Sequence, residues 1–186
     1  MLDELHSARL LLRPFRMDDA EALFQLRSDP GQMFYLDREP MQTAGEAAEM
    51  IVRIQNDGLN GNGYNWALEE KLASGMIGYA GIWRIDHKNS RGEIGYMLDK
   101  TCQGNGLMTE ALMSVLHFAF TRAGLHSIEA NVNPGNDRSI RLLKRCGFVR
   151  EAYFRENYNF RGKFLDTAVY SLLSADFRYQ DLPPSG

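Results

Sequence analysis

The chain has 186 residues, a length that fits one compact domain over residues 1–186. Its hydrophobic fraction of 44% and charged fraction of 24% are those of an ordinary globular chain, which excludes a disordered or fibrous protein. The 21 lysines and arginines face 24 aspartates and glutamates, a net charge of -3 that argues against nucleic acid as the main partner. The sequence has no run of about 18 apolar residues, so no membrane association is expected.

The two cysteines, Cys102 and Cys146, lie far apart in the sequence and lack the spacing of metal ligands. Free thiols in a reducing compartment are expected. Residues 1–13 carry no signal-peptide core, so the sequence predicts a cytoplasmic protein. Because metal-ligand spacing is lacking, no bound metal is expected. The segment after Asp181, which contains Pro183 and Pro184, is predicted to be frayed.

Hydrophobic periodicity and turn residues divide the chain into strands and helices. Seven strands are predicted, at residues 10–15, 64–69, 76–85, 93–98, 128–132, 148–153 and 168–173. Four helices are predicted, one from Asp18 to the stop at Pro30, one from the Thr43 cap to Gly58, one at 109–123 and one at 136–145. This order predicts one α/β domain with a single sheet and helices on its faces.

The most informative segment is EIGYMLDKTCQGNGLMTEA at residues 93–111, a strand followed by a glycine turn and a long helix. The first turn of a helix has unpaired backbone N–H groups, and Gly104 and Gly106 allow an anion such as a pyrophosphate to approach them. The segment has no Walker lysine, and Thr109 stands where a dinucleotide fingerprint needs glycine. The glycines alone leave open a simple strand–turn–helix joint without a ligand.

The flanking sequence resembles the acyl-CoA-binding motif of the GNAT N-acetyltransferase superfamily, [QR]-x-x-G-x-[GA]. Here the motif reads Gln103-Gly104-Asn105-Gly106-Leu107-Met108, and Met108 departs from the usual Gly or Ala. Five further segments resemble the RimJ/RimL-type branch, which includes ribosomal-protein N-terminal acetyltransferases. These segments are ARLLLRPF at 8–15, GEIGYML at 92–98, TEAL at 109–112, NPGNDRSIRLLKRCGF at 133–148 and LDTAVYSLL at 165–173.

The resemblance implies a mixed, mostly antiparallel sheet of about seven strands, with helices on both faces and the fourth and fifth strands splayed. Acetyl-CoA is the implied co-substrate, and its pantetheine arm fills the gap between those strands. The implied pantetheine contacts are Tyr96, Met97, Leu98, Asn136 and Ser139. The implied pyrophosphate contacts are the backbone N–H groups of Gln103, Gly104, Asn105, Gly106, Leu107, Met108 and Thr109.

A thioester is activated enough for direct attack by a neutral amine, so no covalent enzyme intermediate is expected. An α-amino group with a pKa of about 7.7–8.0 is mostly protonated at neutral pH, and a general base therefore helps. Glu93 is the candidate base, directly or through water, and a backbone N–H near Leu98 is the candidate oxyanion donor. The alternative for Glu93 is a surface glutamate paired with Arg91, and Glu156 is the second candidate base.

Ser139 is the candidate proton donor to the departing sulfur. The alternative is a helix serine that is hydrogen-bonded to a carbonyl one turn back. Many superfamily members carry a tyrosine four residues before the Gly-Phe pair, and that position is Leu143 here. Phe34 and Tyr35 precede the second helix, in a region that the resemblance assigns to the acceptor site.

The sequence therefore predicts an acetyl-CoA-dependent N-acetyltransferase that acts on a primary amine, foremost a protein or peptide N-terminal α-amino group such as that of a ribosomal protein. Two alternatives stay open: an acetyltransferase for a small amine (a polyamine, an amino acid or an aminoglycoside) and a non-catalytic acyl-CoA-binding module. The oligomeric state is expected to be monomer or homodimer.

Overall fold

The computed structural model describes residues 2–179, so the predicted fraying after Asp181 lies outside the described residues. The strands are β1 (Leu5–His6), β2 (Leu10–Pro14), β3 (Tyr64–Glu70), β4 (Met76–Asp86), β5 (Arg91–Leu98), β6 (Ser127–Val132), β7 (Val149–Phe160) and β8 (Lys163–Leu173). The α-helices are α1 (Ala20–Ser28), α2 (Pro30–Met33), α3 (Ala44–Leu59), α4 (Leu107–Thr121) and α5 (Asp137–Arg145).

All eight strands join one sheet in the order β1-β2-β3-β4-β5-β6-β8-β7. Every neighbouring pair is antiparallel except β5 and β6, which are parallel. These two strands pair only from Arg91 to Glu93 against Ser127 to Glu129, and beyond that point they separate. The predicted splay of these two strands is confirmed, as is the mixed, mostly antiparallel sheet.

The helices cover both faces of the sheet and bury two clusters of apolar side chains. On one face, α1 and α3 pack over Tyr79 and Met97. On the other face, α4 and α5 pack over Ile94 and Leu98. Helix α4 is buried along most of its length because it lies in the middle of its face. In residues 2–179, no helix has both the length and the apolar character needed to cross a bilayer.

The last two strands are much longer than the sequence predicted. They form a hairpin that extends beyond the core, and β7 is exposed at most of its positions. An exposed strand has no buried face, so it lacks the alternating apolar pattern on which the prediction depended. The tip is a two-residue turn, in which Arg161 and Gly162 both have positive φ, +51° and +76°. Such a turn matches the twist of a hairpin.

Two short elements were not predicted, the strand β1 and the helix α2. Helix α2 begins at Pro30, the residue expected to stop α1. The Asp29 side chain accepts hydrogen bonds from the N–H groups of Gly31 and Gln32, and proline is well suited to the first helical position. Pro30 therefore ends one helix and starts the next.

Candidate active site

A cleft of about 1020 Å³ opens at the point where β5 and β6 separate. Glu93 occupies the last paired position of β5, at the apex of the gap. Two residues later, a Cβ on Gly95 would come within 1.6 Å of the Trp83 ring, so only glycine allows this indole to lie across β5. Beyond Glu93, the edge of β5 has no strand partner on the β6 side, and residues 94–96 line the cleft. Unpaired backbone groups of this kind can bind an extended, amide-containing chain such as pantetheine.

The glycine turn (residues 103–109) lies at the carboxyl end of β5. Gly104 and Gly106 have φ of +88° and +77°, a conformation that strongly favours glycine. Gly106 caps α4, which begins at Leu107, two residues before the predicted start. The first intrahelical bond on this helix comes from the N–H of Glu110 to Gly106. The N–H groups of Leu107, Met108 and Thr109 in the first turn are therefore the ones that a helix start offers to an anion.

The Gln103 side chain holds the turn in place from both ends. Its amide Nε2 donates to the carbonyl of Leu98 at 2.8 Å, and its Oε1 accepts from Arg138 of α5 at 2.9 Å. Met108, the residue that departs from the motif, lies in the first turn of α4, is only 8% exposed and packs into the core. Its side chain is therefore buried in the protein.

The three β5 residues expected beside pantetheine differ in where their side chains lie. Tyr96 lines the cleft, whereas Met97 and Leu98 are buried in the two cores, on opposite faces of the sheet. Asn136 also lines the cleft, but its Oδ1 accepts from the N–H of Ser139 at 3.1 Å and caps α5. Of the three β5 residues, only Tyr96 belongs to the lining of the cleft.

Ser139 and Tyr96 face each other across the cleft, with 2.8 Å between the Ser139 Oγ and the phenol oxygen. The Ser139 hydroxyl is therefore hydrogen-bonded to the Tyr96 phenol. It does not bond the carbonyl one turn back in the helix, which was the alternative considered for a helix serine. Burial raises the pKa of Tyr96 well above its usual value, and the bond to Ser139 offsets this only in part. A phenol that keeps its proton is a permanent hydrogen-bond donor.

Glu93 is paired, but not with the expected arginine. Its Oε2 accepts from Arg84 Nη1 at 2.8 Å, and its side chain is 15% exposed while that of Arg84 is 69% exposed. Arg91 pairs with Glu129 on the neighbouring strand instead. Glu93 thus lines the cleft, and Arg84 holds one of its two carboxylate oxygens.

Glu156, the second candidate base, lies in a bulge of β7 with φ of +49°. Its side chain is exposed, and its N–H donates to Asp166 at 2.8 Å. The residues of β7 that line the cleft are the next two, Asn157 and Tyr158. Within residues 2–179, no group of three or more His, Cys, Asp or Glu side chains is arranged to hold a metal ion.

The cleft is also lined by polar residues that sequence reasoning missed. Asp37 accepts hydrogen bonds from the Tyr158 hydroxyl and, at 3.2 Å, from Asn133 Nδ2. Tyr35 also lines the cleft, as expected, whereas Phe34 is 70% exposed and lies outside the cleft lining. We call Asp37, Asn133 and Tyr158 the acceptor wall. These residues come from three distant segments, so only the fold brings them together.

A further residue missed by sequence reasoning is Arg27 of α1, which is 9% exposed and lines the cleft. One signal was present in the sequence. Arg27 follows Leu23 by four residues and Leu26 by one, and both leucines are buried. A charged residue that continues a buried helical stripe is unusual and indicates a special role.

Comparisons with known proteins agree with this geometry. Residues 9–149 match the family described as the Acetyltransferase (GNAT) domain. An uncharacterized N-acetyltransferase, p20 of Bacillus licheniformis, is 33% identical over 95% of this chain and 99% of its own length. Mycobacterium smegmatis RimJ, solved with CoA-disulfide, superposes with a TM-score of 0.83 at 23% identity, over 93% of this chain and 88% of its own.

A third comparison is the Vibrio cholerae spermidine N-acetyltransferase, solved in complex with CoA and spermine. It superposes with a TM-score of 0.81 at 22% identity, over 91% of this chain and 98% of its own. Together the matched domain and the relative make the chain a member of the GNAT family and an N-acetyltransferase. The family predicted from the sequence motifs is thus confirmed.

Proposed function

We propose that the chain transfers the acetyl group of acetyl-CoA to the N-terminal α-amino group of a protein or peptide. The observation that carries the proposal is the cleft at the separation of β5 and β6, which Glu93, Tyr96 and Ser139 line, with the glycine turn following the carboxyl end of β5. Two structural neighbours were solved with CoA or a CoA disulfide, which supports the same cofactor here.

The glycine turn is suited to the pyrophosphate of acetyl-CoA. Its N–H groups at the start of α4 donate to anions, and the helix dipole favours negative charge there. The backbone of Tyr96, Met97 and Leu98 has no strand partner on the β6 side and offers the hydrogen bonds of a missing strand to pantetheine. Asn136 also lines the cleft, and in this proposal its amide Nδ2 donates to the same arm.

Glu93 acts as general base in this proposal. It accepts a proton from the incoming ammonium, directly or through water, so that a neutral amine attacks the thioester carbonyl. Arg84 holds the other side of the carboxylate and fixes its orientation. The Glu156 side chain is exposed on the bulge of β7, a position that favours Glu93 over Glu156 for this role.

Ser139 donates its hydroxyl hydrogen toward the sulfur as the thiolate leaves. A serine hydroxyl can donate only one hydrogen, so its use depends on where that hydrogen points. Either hydroxyl can donate in the contact between Tyr96 and Ser139. In this proposal the Tyr96 phenol donates to Ser139 Oγ, which leaves the serine hydrogen for the sulfur. Hydrogen bonds in such a chain strengthen one another. Tyr96 is therefore a positioning residue for Ser139.

The proposal is tested with a panel of acceptors and with free CoA as the readout. The panel contains short peptides with a free N-terminus, the same peptides with a blocked N-terminus, spermidine, single amino acids and an aminoglycoside. We expect turnover of the free peptides and none of the blocked ones. Faster turnover of spermidine, an amino acid or the aminoglycoside than of every peptide would assign the enzyme to small amines instead.

A further inference from the structure

We infer that Arg27 binds a carboxylate of the acceptor, and that the enzyme therefore prefers N-terminal peptides with an acidic residue near the amine. This inference rests on the proposed peptide acceptor and adds a second contact point to it. The guanidinium lies at the end of α1, and its Nη1 donates to the Tyr79 hydroxyl at 2.6 Å. Its Nε is buried and has no hydrogen-bond partner within residues 2–179.

The other fully buried arginine provides the contrast. Arg13 is 3% exposed, and two carboxylates neutralise it: Asp19 at 2.7 Å from Nη2 and Glu69 at 2.7 Å from Nε. Arg27 is nearly as buried, but no carboxylate lies within ion-pair distance of it in the described part of the chain. Arginine stays charged in proteins, and a buried charge without a partner is costly.

Two of the three carboxylates that line the cleft are engaged elsewhere, and the third, Asp57, forms no ion pair with Arg27 in the described part of the chain. Asp29, two residues after Arg27, pairs with Lys100 at 2.9 Å. Asp37 accepts from Tyr158 and Asn133, and Glu93 pairs with Arg84. No carboxylate of the described chain neutralises Arg27, so we look to a bound molecule for that anion. Because Arg27 lines the cleft, a ligand in the cleft can supply it.

The side of the sheet on which Arg27 lies points to the acceptor as the source of this anion. Arg27 bonds Tyr79, whose neighbours are α1 and α3, whereas the glycine turn opens α4 on the opposite face. The phosphates of CoA are thus directed to the other side. Tyr79 and Trp83 share a strand face, and Trp83 pairs with Glu93.

The spacing along β4 indicates how far the anion lies from the reacting amine. Tyr79 and Trp83 are four residues apart on one strand, about 13 Å at roughly 3.3 Å per residue. A free α-amino acid, whose carboxylate is on the carbon that bears the amine, is much shorter than this strand spacing. An extended peptide covers the distance within its first few residues, so an acidic side chain there fits.

The test compares peptides that differ only in charge at one position. Peptides with alanine first and glutamate at position 2, 3 or 4 are compared with their glutamine counterparts, by kcat/KM for the peptide. We expect the best glutamate peptide to exceed its glutamine counterpart by about tenfold or more, the worth of a charge-assisted hydrogen bond. Arg27→Met should abolish this ratio while KM for acetyl-CoA stays unchanged, and Arg27→Lys should retain part of it.

Arg122→Met is the matched control, because it removes the same charge from an exposed ion pair with Asp3 and should leave the ratio intact. Binding of the N-acetylated product peptides by calorimetry measures the same preference without turnover. Equal turnover and equal binding of the two peptide series by the wild type would overturn the inference and leave the acetyltransferase itself standing. A raised KM for acetyl-CoA in Arg27→Met would assign the guanidinium to the cofactor instead.

Discussion

The phenol oxygen of Tyr96 lies 2.8 Å from Ser139 Oγ, although the two residues are 43 positions apart in the chain. Strand β5 supplies one and helix α5 the other, so the contact spans the gap between the separated strands. The phenol beside Ser139 thus comes from β5 and not from position 143 of α5, where the superfamily resemblance implies a tyrosine and this chain has the buried Leu143.

The Tyr96 contact predicts a specific pattern in mutant kinetics. Tyr96→Phe should lower kcat by about 2- to 10-fold, the worth of one neutral hydrogen bond, with KM for acetyl-CoA unchanged. Because Tyr96 acts through Ser139, Tyr96→Phe should cost nothing further in a Ser139→Ala background. Tyr153→Phe, which removes a hydroxyl bonded to Asp166, is the control and should be neutral. Losses that add in the double variant would contradict the relay.

The role of Glu93 predicts a pH-dependent defect. Glu93→Gln should lower kcat/KM at pH 7 by roughly 10²–10⁴-fold, the usual worth of a general base. The loss should shrink above about pH 8, where an α-amine loses its proton without help. Ser139→Ala should instead lower the rate equally from pH 6 to 9.5, since a serine does not titrate there. Full pH–rate profiles measure both, with Glu21→Gln on the exposed face of α1 as control. A Glu93→Gln defect that is constant with pH would eliminate the base role.

The glycine turn predicts ligand stabilisation. Acetyl-CoA at 100 times its Kd should stabilise the fold by about 2.7 kcal/mol, a rise in Tm of about 5–10 °C for a chain of this size. Gly106→Asp should abolish the rise, because it adds a side chain and a negative charge beside the pyrophosphate. Gly162→Asp is matched in backbone conformation, with φ of +76° against +77°, but lies at the hairpin tip and should keep the rise. Equal shifts in the two variants would refute the proposed pyrophosphate site.

The lowered pKa of Glu110 predicts that the free energy of unfolding falls in acid. Burial raises the pKa of this carboxyl, but hydrogen bonds from Ser7, the Arg9 N–H and the Arg9 guanidinium together hold it below its ordinary value. A depressed pKa stabilises the fold above the unfolded value of about 4.3, and this contribution is lost as pH falls through the folded pKa. Urea unfolding should therefore show a smaller loss of stability between pH 5 and pH 3 for Glu110→Gln than for the wild type. An unchanged slope would mean that Glu110 does not contribute.

The sequence predicted the part of the site that is local in the chain. The turn at 103–109 and the helix that follows it share one continuous segment, and the geometry of both depends on Gly104 and Gly106. A one-residue requirement of this kind is visible in sequence because few other residues satisfy it. The splay of β5 and β6 came from the family resemblance, since periodicity carries no information about strand pairing.

The parts that were missed depend on contacts between distant segments. Asp37 and Tyr158 are 121 positions apart, and no pattern in the sequence around either residue predicts their contact. The second half of β7 was missed because an exposed hairpin strand has no buried face to create a pattern. Arg27 stood in an apolar stripe, but only the fold reveals that no carboxylate in the described chain meets it.

The two halves of the cleft also differ in how they are encoded. The donor half uses one segment, residues 93–109, with α5 beside it. The acceptor wall joins residues from the α2–α3 loop, the β6–α5 loop and β7. An ion pair between Glu39 of the α2–α3 loop and Arg161 at the hairpin tip further connects these segments. Substitutions in these loops can therefore change the acceptor without touching the acetyl donor. One scaffold can thus diverge into enzymes for many amines while its donor chemistry stays constant.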